Sequence, residues 1–490
     1  MGIKHVSYLE WEGLQDKYEI TNINTPQTLK FGKITLFRDE EYNIKGFING
    51  EGNSKDLFEE LHGNGEPGQR IKPFEIKGTS NHGLELYTLR HCYLGDITNK
   101  ATLLGNDNYK EEYKVGLSSF FVEKKYNNGN NLRSLTEWYL NGPNQNFLFN
   151  RTSERVYTEE SKLIRTDINV DKIINGESIS LNRDYLLVEL DDYKFIIHSV
   201  PKQIGPDWSN NIGIEYSVEF GKIPDENERE GISEIVSFLF GRHLLKVGYT
   251  EYDENNYPIR QVGQDPWGNN VVSKCKSMGF YPIKIDDYKY WGKAEELLKE
   301  LVPIYIKYRN ELNLKDALWS FWISEDVPVG TNIPIIANAL EILKNGWFKS
   351  NKSKTKGVYM PKKQFDELLD ESFMEIEEKL KGHKFADRIL RRIKGSFNMG
   401  VNESLDFFFE EIGLKVGEVE KKAIKSRNSV IHGTHSTSDE DLEKIIFYSK
   451  VYKTLFHRAF LKLLLYKGEY IDYSITGWPN KNIDEVTNYK

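Results

Sequence analysis

The sequence predicts an α+β protein, with a β-rich, antiparallel, sandwich- or barrel-like N-terminal region followed by an all-α helical bundle. Over the first 220 or so residues, apolar and polar side chains alternate with a period of two, which is typical of half-buried strands. From about residue 290 the apolar residues recur at spacings of three and four, which is typical of amphipathic helices. We therefore expect a β-rich domain of one or two lobes, a connecting segment with one helix, a helical domain and a C-terminal tail, at residues 1–225, 226–285, 286–470 and 471–490.

The alternating pattern is clearest in five runs that are separated by clusters of Gly, Asn and Asp. These runs cover residues 33–37, 83–89, 113–122, 185–198 and 213–220. Within the fourth run, Asp191, Asp192 and Tyr193 separate two apolar stretches, which predicts a β-hairpin. No internal repeat is present, and an antiparallel sandwich- or barrel-like domain of one or two lobes is expected.

The connecting segment begins with helical spacing over residues 225–240 and continues with a strand-like run over 241–248. Residues 249–285 are polar and contain Pro258, Pro266 and Pro282. Because proline interrupts both helices and central strands, we expect this stretch to be a linker.

The helical region is predicted to contain eight helices, and Pro303 is expected to kink or split the first of them. They cover residues 291–312, 314–322, 333–348, 362–380, 385–393, 402–412, 417–431 and 439–466. Ser438 and Asp441 form a capping-box variant at the start of the last helix. A basic loop is expected at 349–357, and the tail after residue 468 is expected to be extended.

The composition narrows the class of protein. The 490 residues carry a formal net charge of -8, so nucleic-acid binding requires a local basic patch. No apolar run is long enough to span a membrane, and the N-terminus lacks the apolar segment of a signal peptide. Cys92 and Cys275 lie too far apart to suggest a metal site or a disulfide framework, and we expect both to be buried thiols. We therefore expect a cytoplasmic protein with no cofactor, no metal and no membrane partner.

The strongest candidate site lies at the end of the predicted helix 417–431, where Arg427, Asn428 and His432 occur within six residues. Gly433 is a natural residue to follow a helix C-terminus, so His432 is expected in the last turn, where the negative helix end favours its protonated form. Arg427 and His432 are separated by about 140° around an ideal helix. One helix therefore cannot direct both side chains at one atom, whereas two copies facing each other could.

These residue types suit the metal-independent cleavage of RNA. Arg427 can bind a phosphate and stabilise the charge that develops on it. His432 can act as general acid or base, and Asn428 can orient the histidine or the phosphate. Because RNA supplies its own 2′-OH nucleophile, this set is sufficient to form a 2′,3′-cyclic phosphate and a 5′-OH.

The pattern Arg427-Asn428-x-x-x-His432, with a helix before it and a capped apolar helix after it, resembles the signature of HEPN ribonucleases over roughly residues 300–467. A β-rich start followed by the six residues 237–242 resembles the ApeA-like anti-phage proteins over most of the chain. This resemblance implies an abortive-infection ribonuclease that forms a homodimer, or a higher oligomer, through its HEPN helices. It also implies that the N-terminal region senses a phage-derived trigger and that tRNA or other cellular RNA is cleaved.

Several basic side chains could contact the RNA backbone. Arg388, Arg391 and Arg392 share one helix face, and Lys425 lies on the motif helix itself. The alternative for the three arginines is a solvated, charge-rich helix face. His435 is a further possible proton-transfer group, although a solvated turn histidine is the simpler interpretation.

Other interpretations stay open. The helical domain could bind RNA or a protein partner without catalysis. The Asp192-Tyr193-Lys194 and Asp287-Tyr288-Lys289 segments have the acidic-x-Lys form of metal-dependent nucleases, but they lack a second well-placed carboxylate. The G-x-G-x-x-G match at residues 63–68 does not follow a clear strand and is expected to be a loop. Nucleotidyl transfer would require a carboxylate triad that the sequence does not supply.

Trp138, Tyr139, Phe147 and Phe149 are expected in the core.

Overall fold

The computed structural model describes residues 19–24, 31–51, 73–80, 83–103, 109–126, 131–143, 148–157, 161–165, 170–173, 183–200, 205–268, 270–285, 288–290, 292–431 and 438–486. The chain forms two compact units. The β-rich unit comprises Met1–Glu226, Arg242–Gly279 and Ile285–Lys299. The helical unit comprises Asn227–Gly241, Phe280–Lys284 and Glu300–Lys490. The predicted combination of a β-rich N-terminal region with later helices is confirmed.

Six antiparallel strands at the N-terminus close into a barrel. They are β1 (Glu19–Asn24), β2 (Phe31–Arg38), β3 (Ile44–Glu51), β4 (Phe74–Ser80), β5 (Glu85–Leu103) and β6 (Tyr109–Tyr126). The pairing runs β1-β2-β3-β6-β5-β4 and returns to β1. Alternate residues on these strands, including Ile34, Leu36, Ile48, Leu89 and Val115, fill a common core. Closure leaves no free edge at β1 or β4, and the barrel-like part of the prediction is confirmed.

Six further strands are β7 (Ser134–Leu140), β11 (Tyr185–Glu189), β12 (Lys194–Ser199), β13 (Ile212–Ser217), β14 (Leu245–Tyr252) and β15 (Pro258–Gln264). Together with the second half of β6 they form a wider antiparallel sheet with the order β6-β15-β14-β7-β13-β12-β11. A separate small sheet contains β8 (Glu154–Tyr157), β9 (Ser161–Arg165) and β10 (Val170–Ile173). β11 and β12 form the predicted hairpin, with Glu189 opposite Lys194.

Two sequence expectations for this unit require correction. Residues 249–285 are not only a linker, because they contain the second half of β14, all of β15 and the short helix α2 (Val271–Lys276). Pro258 is compatible with a strand because it is the first residue of β15, where a missing N–H is tolerated. The run 213–220 ends as a strand at Ser217 and closes with a 3-10 turn. Trp138, Tyr139 and Phe149 are buried as expected, whereas Phe147 lies outside the described residues.

Nine longer helices lie within the described residues. They are α1 (Glu226–Leu239), α3 (Lys293–Tyr308), α4 (Leu314–Glu325), α5 (Asn332–Lys349), α6 (Lys362–Lys379), α7 (Ala386–Lys394), α8 (Val401–Glu411), α9 (Glu418–Ile431) and α10 (Asp439–Leu463). Helix α3 continues through Pro303, so the expected split does not occur. Ser438 caps α10 as predicted and accepts a hydrogen bond from the Asp441 amide. Within the described ranges, every helix is too short or too polar to pass through a membrane.

Helices α4, α5, α9 and α10 form the centre of the helical unit. Helix α5 packs against α4, α9 and α10, and α9 also packs against α10. Helix α1, predicted to be part of the connection, belongs to this unit and is held there by Arg309 of the segment after α3, which pairs with Glu230 and Glu234.

The predicted basic loop and C-terminal tail are both anchored to the helical unit. The amides of Lys354 and Thr355 donate to the Glu411 carboxylate, so the loop is not simply solvated. The tail is not extended along its length, because β16 (Glu469–Ile471) and β17 (Asn480–Asn482) pair as a short hairpin. Tyr470 and Ile483 are fully buried, so hydrophobic burial fixes the tail.

Candidate functional site

Helix α9 positions the predicted motif. Its buried face is formed by Glu420, Ala423 and Ile424, at helical spacings of three and four. Two contacts from α10 hold this face. The Arg458 guanidinium pairs with Glu420, and the Tyr452 hydroxyl donates to the Ile424 carbonyl at 3.3 Å. The position of the motif is therefore set by a helix whose buried face is bonded to α10, and not by an exposed loop.

Arg427 lies on the same face, one turn beyond Ala423 and Ile424. Its Nη1 donates to Glu341 Oε1 on α5 at 3.1 Å. The side chains of Arg427 and Glu341 are 18% and 20% exposed, so the pair lies at the edge of the core. The other oxygen of Glu341 accepts from Lys344 at 2.7 Å. Among the contacts of the described residues, only Nη1 of Arg427 is engaged.

The charges around Arg427 are unequal in number. Two cations, Arg427 and Lys344, share one carboxylate, that of Glu341. Lys344 Nζ also donates to the Ser404 hydroxyl at 3.1 Å. Burial raises the pKa of the nearby Tyr452 hydroxyl, and the charge of Arg427 opposes that effect. Tyr452 is therefore neutral near pH 7, and the group formed by Arg427, Lys344 and Glu341 carries one net positive charge.

The structure describes the other motif residues only in part. Asn428 lies in the last turn of α9, but only its backbone is described, whereas His432, Gly433 and His435 lie outside the described residues. Lys425 is exposed and lies two residues before Arg427, which places it about 200° around the helix from Arg427. Lys425 and Arg427 of one chain therefore do not converge on one phosphate.

The three predicted RNA-binding arginines lie on α7. Arg388, Arg391 and Arg392 are all exposed, as is the aromatic ring of Phe385 beside Arg388. Helix α7 packs against α6, where Lys394 pairs with Glu377 at 3.8 Å. The motif helix packs instead against α5 and α10. The basic face and the motif thus belong to two different helix pairs within the unit.

The remaining candidates are described only in part. Lys194 pairs with Glu189 across the hairpin, and Asp287 lies outside the described residues. No group of three His, Cys, Asp or Glu side chains is placed to hold a metal ion in the described part of the chain. Cys92 and Cys275 are buried as expected, and burial raises the pKa of Cys275 to about 11. The glycine-rich match at 63–68 is outside the described residues.

The sequence interpretation missed Glu341 and Lys344. Lys344 is buried on the apolar face of α5, one turn beyond Leu340. A charged side chain on an apolar helix face indicates an ion pair, because a buried charge needs a partner. This pattern does not reveal the contact between Glu341 and Arg427, because the two residues are 86 positions apart along the chain.

Comparison with known proteins does not assign this chain to a family. No protein-family model, no curated protein and no solved structure matches it.

Proposed function

We propose that this protein is a metal-independent HEPN-type endoribonuclease of a bacterial anti-phage abortive-infection system. In this proposal the β-rich unit senses a phage-derived trigger in the cytoplasm, and the helical unit then cleaves tRNA or other cellular RNA. Arg427, Asn428 and His432 form the catalytic set. The RNA backbone is bound by Lys425 and by the arginines of α7, Arg388, Arg391 and Arg392.

The reaction needs only proton transfer and charge stabilisation. The 2′-oxygen of the ribose attacks the adjacent phosphorus, and the bond from phosphorus to the 5′-oxygen breaks. The 2′-OH proton is lost to a base, and the leaving 5′-oxygen gains a proton. His432 performs one or both proton transfers, and Arg427 stabilises the negative charge on the phosphoryl oxygens. The products are a 2′,3′-cyclic phosphate and a 5′-OH end.

The observation that supports this proposal best is the way Arg427 is held. Glu341 engages one nitrogen of the guanidinium, and Arg427 lies at the edge of the core, one residue before Asn428. A guanidinium fixed at Nη1 can present its other nitrogens to a phosphate without first losing side-chain entropy. A second copy of the chain facing α9 would complete the site, since Arg427 and His432 are about 140° apart on one helix.

RNA end analysis tests the reaction directly. The full chain is expected to cleave RNA in the presence of EDTA and to leave 5′-OH ends. Arg427→Ala or His432→Ala is expected to abolish cleavage and cellular toxicity while the circular dichroism spectrum stays unchanged. Sequencing RNA ends from cells that carry wild type or His432→Ala identifies the RNA. Full activity in a folded His432→Ala protein, or in a stable monomer, would contradict the proposal.

A second function is favoured by the same ion pair and by the exposed face of α7. If Arg427 is committed to Glu341 as a structural partner, the helical unit could bind RNA or protein without cleaving it. RNA would then bind through Arg388, Arg391 and Arg392, with an affinity that falls as salt rises. Salt-dependent binding without cleavage would support this function, and cleavage that EDTA suppresses would point to a metal-dependent nuclease instead.

A further inference from the structure

Helices α6 and α7 pack against each other and share a small apolar core. Phe365 and Phe373 of α6 are buried with their ring centroids 5.7 Å apart, and the ring of Phe397 lies 5.6 Å from that of Phe365. The half-buried face of α7 consists of Ile389, Leu390 and Ile393. The opposite faces of the two helices are therefore turned away from this core.

The outer face of α6 is acidic. The helix contains seven carboxylates and three lysines, which gives it a net charge of -4. Spacings of three and four residues place four exposed side chains together on the outer face, and we call them the acidic stripe: Glu371, Met374, Glu375 and Glu378. Met374 is 67% exposed, so an apolar side chain lies in water among three carboxylates.

The outer face of α7 is basic. The helix contains four basic side chains and one carboxylate, which gives it a net charge of +3. Arg388, Arg391 and Arg392 are exposed at spacings of three and four, and we call them the basic stripe. Phe385, directly before the helix, is 46% exposed, and the Arg388 guanidinium lies 5.8 Å from the centre of its ring.

The two stripes do not neutralise each other within the chain. In the described part of the helical unit, the one ion pair between α6 and α7 joins Lys394 to Glu377 at 3.8 Å and uses neither stripe. Glu375 and Glu378 contact exposed lysines three or four residues away, at 2.5 and 3.5 Å. Because exposed pairs of this kind contribute little, the opposite charges on the two helices stay open to a partner.

A surface with an acidic and a basic stripe on neighbouring helices is complementary to itself. In a two-fold arrangement a patch meets the same patch of a second copy, so the acidic stripe of each copy can face the basic stripe of the other. Such an interface would include Met374, Phe385 and the three arginines, which belong to the residue types that are enriched at protein–protein interfaces. An RNA backbone matches only the basic stripe, whereas a second copy matches both.

We propose that two copies of this chain dock through the outer faces of α6 and α7, with the acidic stripe of each copy against the basic stripe of the other. This interface is separate from the one expected at the motif, because α9 packs against α5 and α10. Docking covers the three arginines that the proposed function assigns to RNA, so RNA and the second copy compete for them. The docking itself does not depend on the ribonuclease reaction.

Charge reversal and mixing test the docking on the full chain. The variant Arg388→Glu/Arg391→Glu/Arg392→Glu makes both stripes acidic, and the variant Glu371→Lys/Glu375→Lys/Glu378→Lys makes both stripes basic. In sedimentation velocity, each variant alone is expected to have half the mass of the wild-type assembly, because like charges then face each other. An equimolar mixture of the two variants should recover the wild-type mass, since opposite charges face each other again.

The two variants control for each other. Each substitution changes two charges, so the arginine variant shifts the formal net charge from -8 to -14 and the glutamate variant shifts it from -8 to -2. A loss of assembly in both variants therefore cannot come from overall repulsion, which changes in opposite directions. All six side chains are exposed, so helical circular dichroism should be unchanged. The wild-type assembly should also dissociate more readily in about 1 M salt, where the Debye length is about 3 Å.

Three results would overturn the proposal. The first is a mass that is unchanged in both variants, and the second is a mixture that keeps the mass of its separate components. The third is an arginine variant that loses affinity for RNA while its mass stays that of the wild type, because the basic stripe would then bind RNA and not a second copy. None of these results bears on the cleavage reaction, which the His432→Ala variant tests separately.

Discussion

Two arginine–glutamate pairs hold the motif helix α9, and they differ in their access to water. Arg458 and Glu420, near the start of the helix, are 0% and 1% exposed. Arg427 and Glu341, near its end, are 18% and 20% exposed. Arg458 also donates to the carbonyls of Lys415 and Ile483. The first pair links α9 to α10 and to the tail. The second pair links α9 to α5 through one nitrogen of Arg427.

The difference is consistent with a structural role for the first pair and, under the proposed function, with phosphate binding by Arg427 of the second. A fully buried pair loses much of its Coulomb energy to desolvation, and its main consequence is that neither partner can be removed alone. A pair at the edge of the core is accessible to a ligand, and a guanidinium has five N–H donors, more than one carboxylate oxygen can engage. On this basis α9 is fixed at one end by Arg458 and presents Arg427 at the other.

The largest expected effect comes from breaking the buried pair. Arg458→Met leaves Glu420 buried without its cation, and we expect the free energy of unfolding of the helical unit to fall by about 3–5 kcal/mol. A urea titration followed by helical circular dichroism measures this change. The double variant Arg458→Met/Glu420→Leu should recover at least half of the loss, because no charge is then left buried alone.

Arg427→Met is the matched comparison for the same titration. Lys344 still pairs with Glu341 in this variant, so we expect a loss of about 1 kcal/mol or less. Equal losses for Arg427→Met and Arg458→Met would show that the two pairs do not differ in role.

A smaller effect is expected from the neighbour of Arg458 on α10. His457 is enclosed by the rings of Phe238, Phe321 and Tyr473, and burial lowers its pKa from 6.5 to about 3, with Lys453 acting in the same direction. The folded state therefore keeps His457 neutral, whereas the unfolded state binds a proton below pH 6.5. Stability is retained above pH 6.5 and decreases as the pH falls from 6.5 toward 3.

The expected loss from this histidine between pH 7 and pH 5 is about 2 kcal/mol. His457→Leu removes the titrating group, so the variant should lose about that much less than the wild type over the same pH range. Each protein is compared with itself at the two pH values, which cancels any change in its baseline stability. An identical pH dependence in both proteins would contradict the assignment.

The sequence predicted much of the fold because periodicity is a local property. Most predicted helices of the helical unit match the observed ones within a few residues, and Asp191, Asp192 and Tyr193 do separate the two strands of a hairpin. The strand-like run predicted over 241–248 contains the first half of β14, whereas its second half and all of β15 were missed because Pro258 and the polar residues around it obscure the alternation. The tail hairpin was missed because its burial depends on α10, which no local pattern reveals.

The candidate site was less predictable than the fold. The motif identified Arg427 and its place in the last turns of a helix. A step of about 100° per residue already separates Lys425 from Arg427, so their divergence could have been derived from the sequence. Glu341 could not, because a contact between two helices depends on how they pack. The role of His432 stays a prediction, because that residue lies outside the described ranges.

The smallest expected effect concerns Glu341, which we regard as a positioning residue for Arg427. Glu341→Gln removes the charge that fixes Nη1 but keeps the shape of the side chain. Because the pair is partly exposed, we expect a change in stability within about 1 kcal/mol. The proposed cleavage should instead lose about tenfold in kcat with KM little changed, since a loosened guanidinium stabilises the transition state less well while other groups still bind RNA.

The control for this prediction is Glu367→Gln on α6. Glu367 is an exposed carboxylate whose contact is with Lys363 at 3.9 Å, and its loss should change neither kcat nor KM. Single-turnover cleavage with saturating protein separates the chemical step from binding. If Glu341→Gln raised the affinity for RNA and left kcat unchanged, Glu341 would compete with the phosphate for Arg427. The pair at the end of α9 would then restrain the arginine until RNA displaces it, and its partial exposure would reflect that exchange.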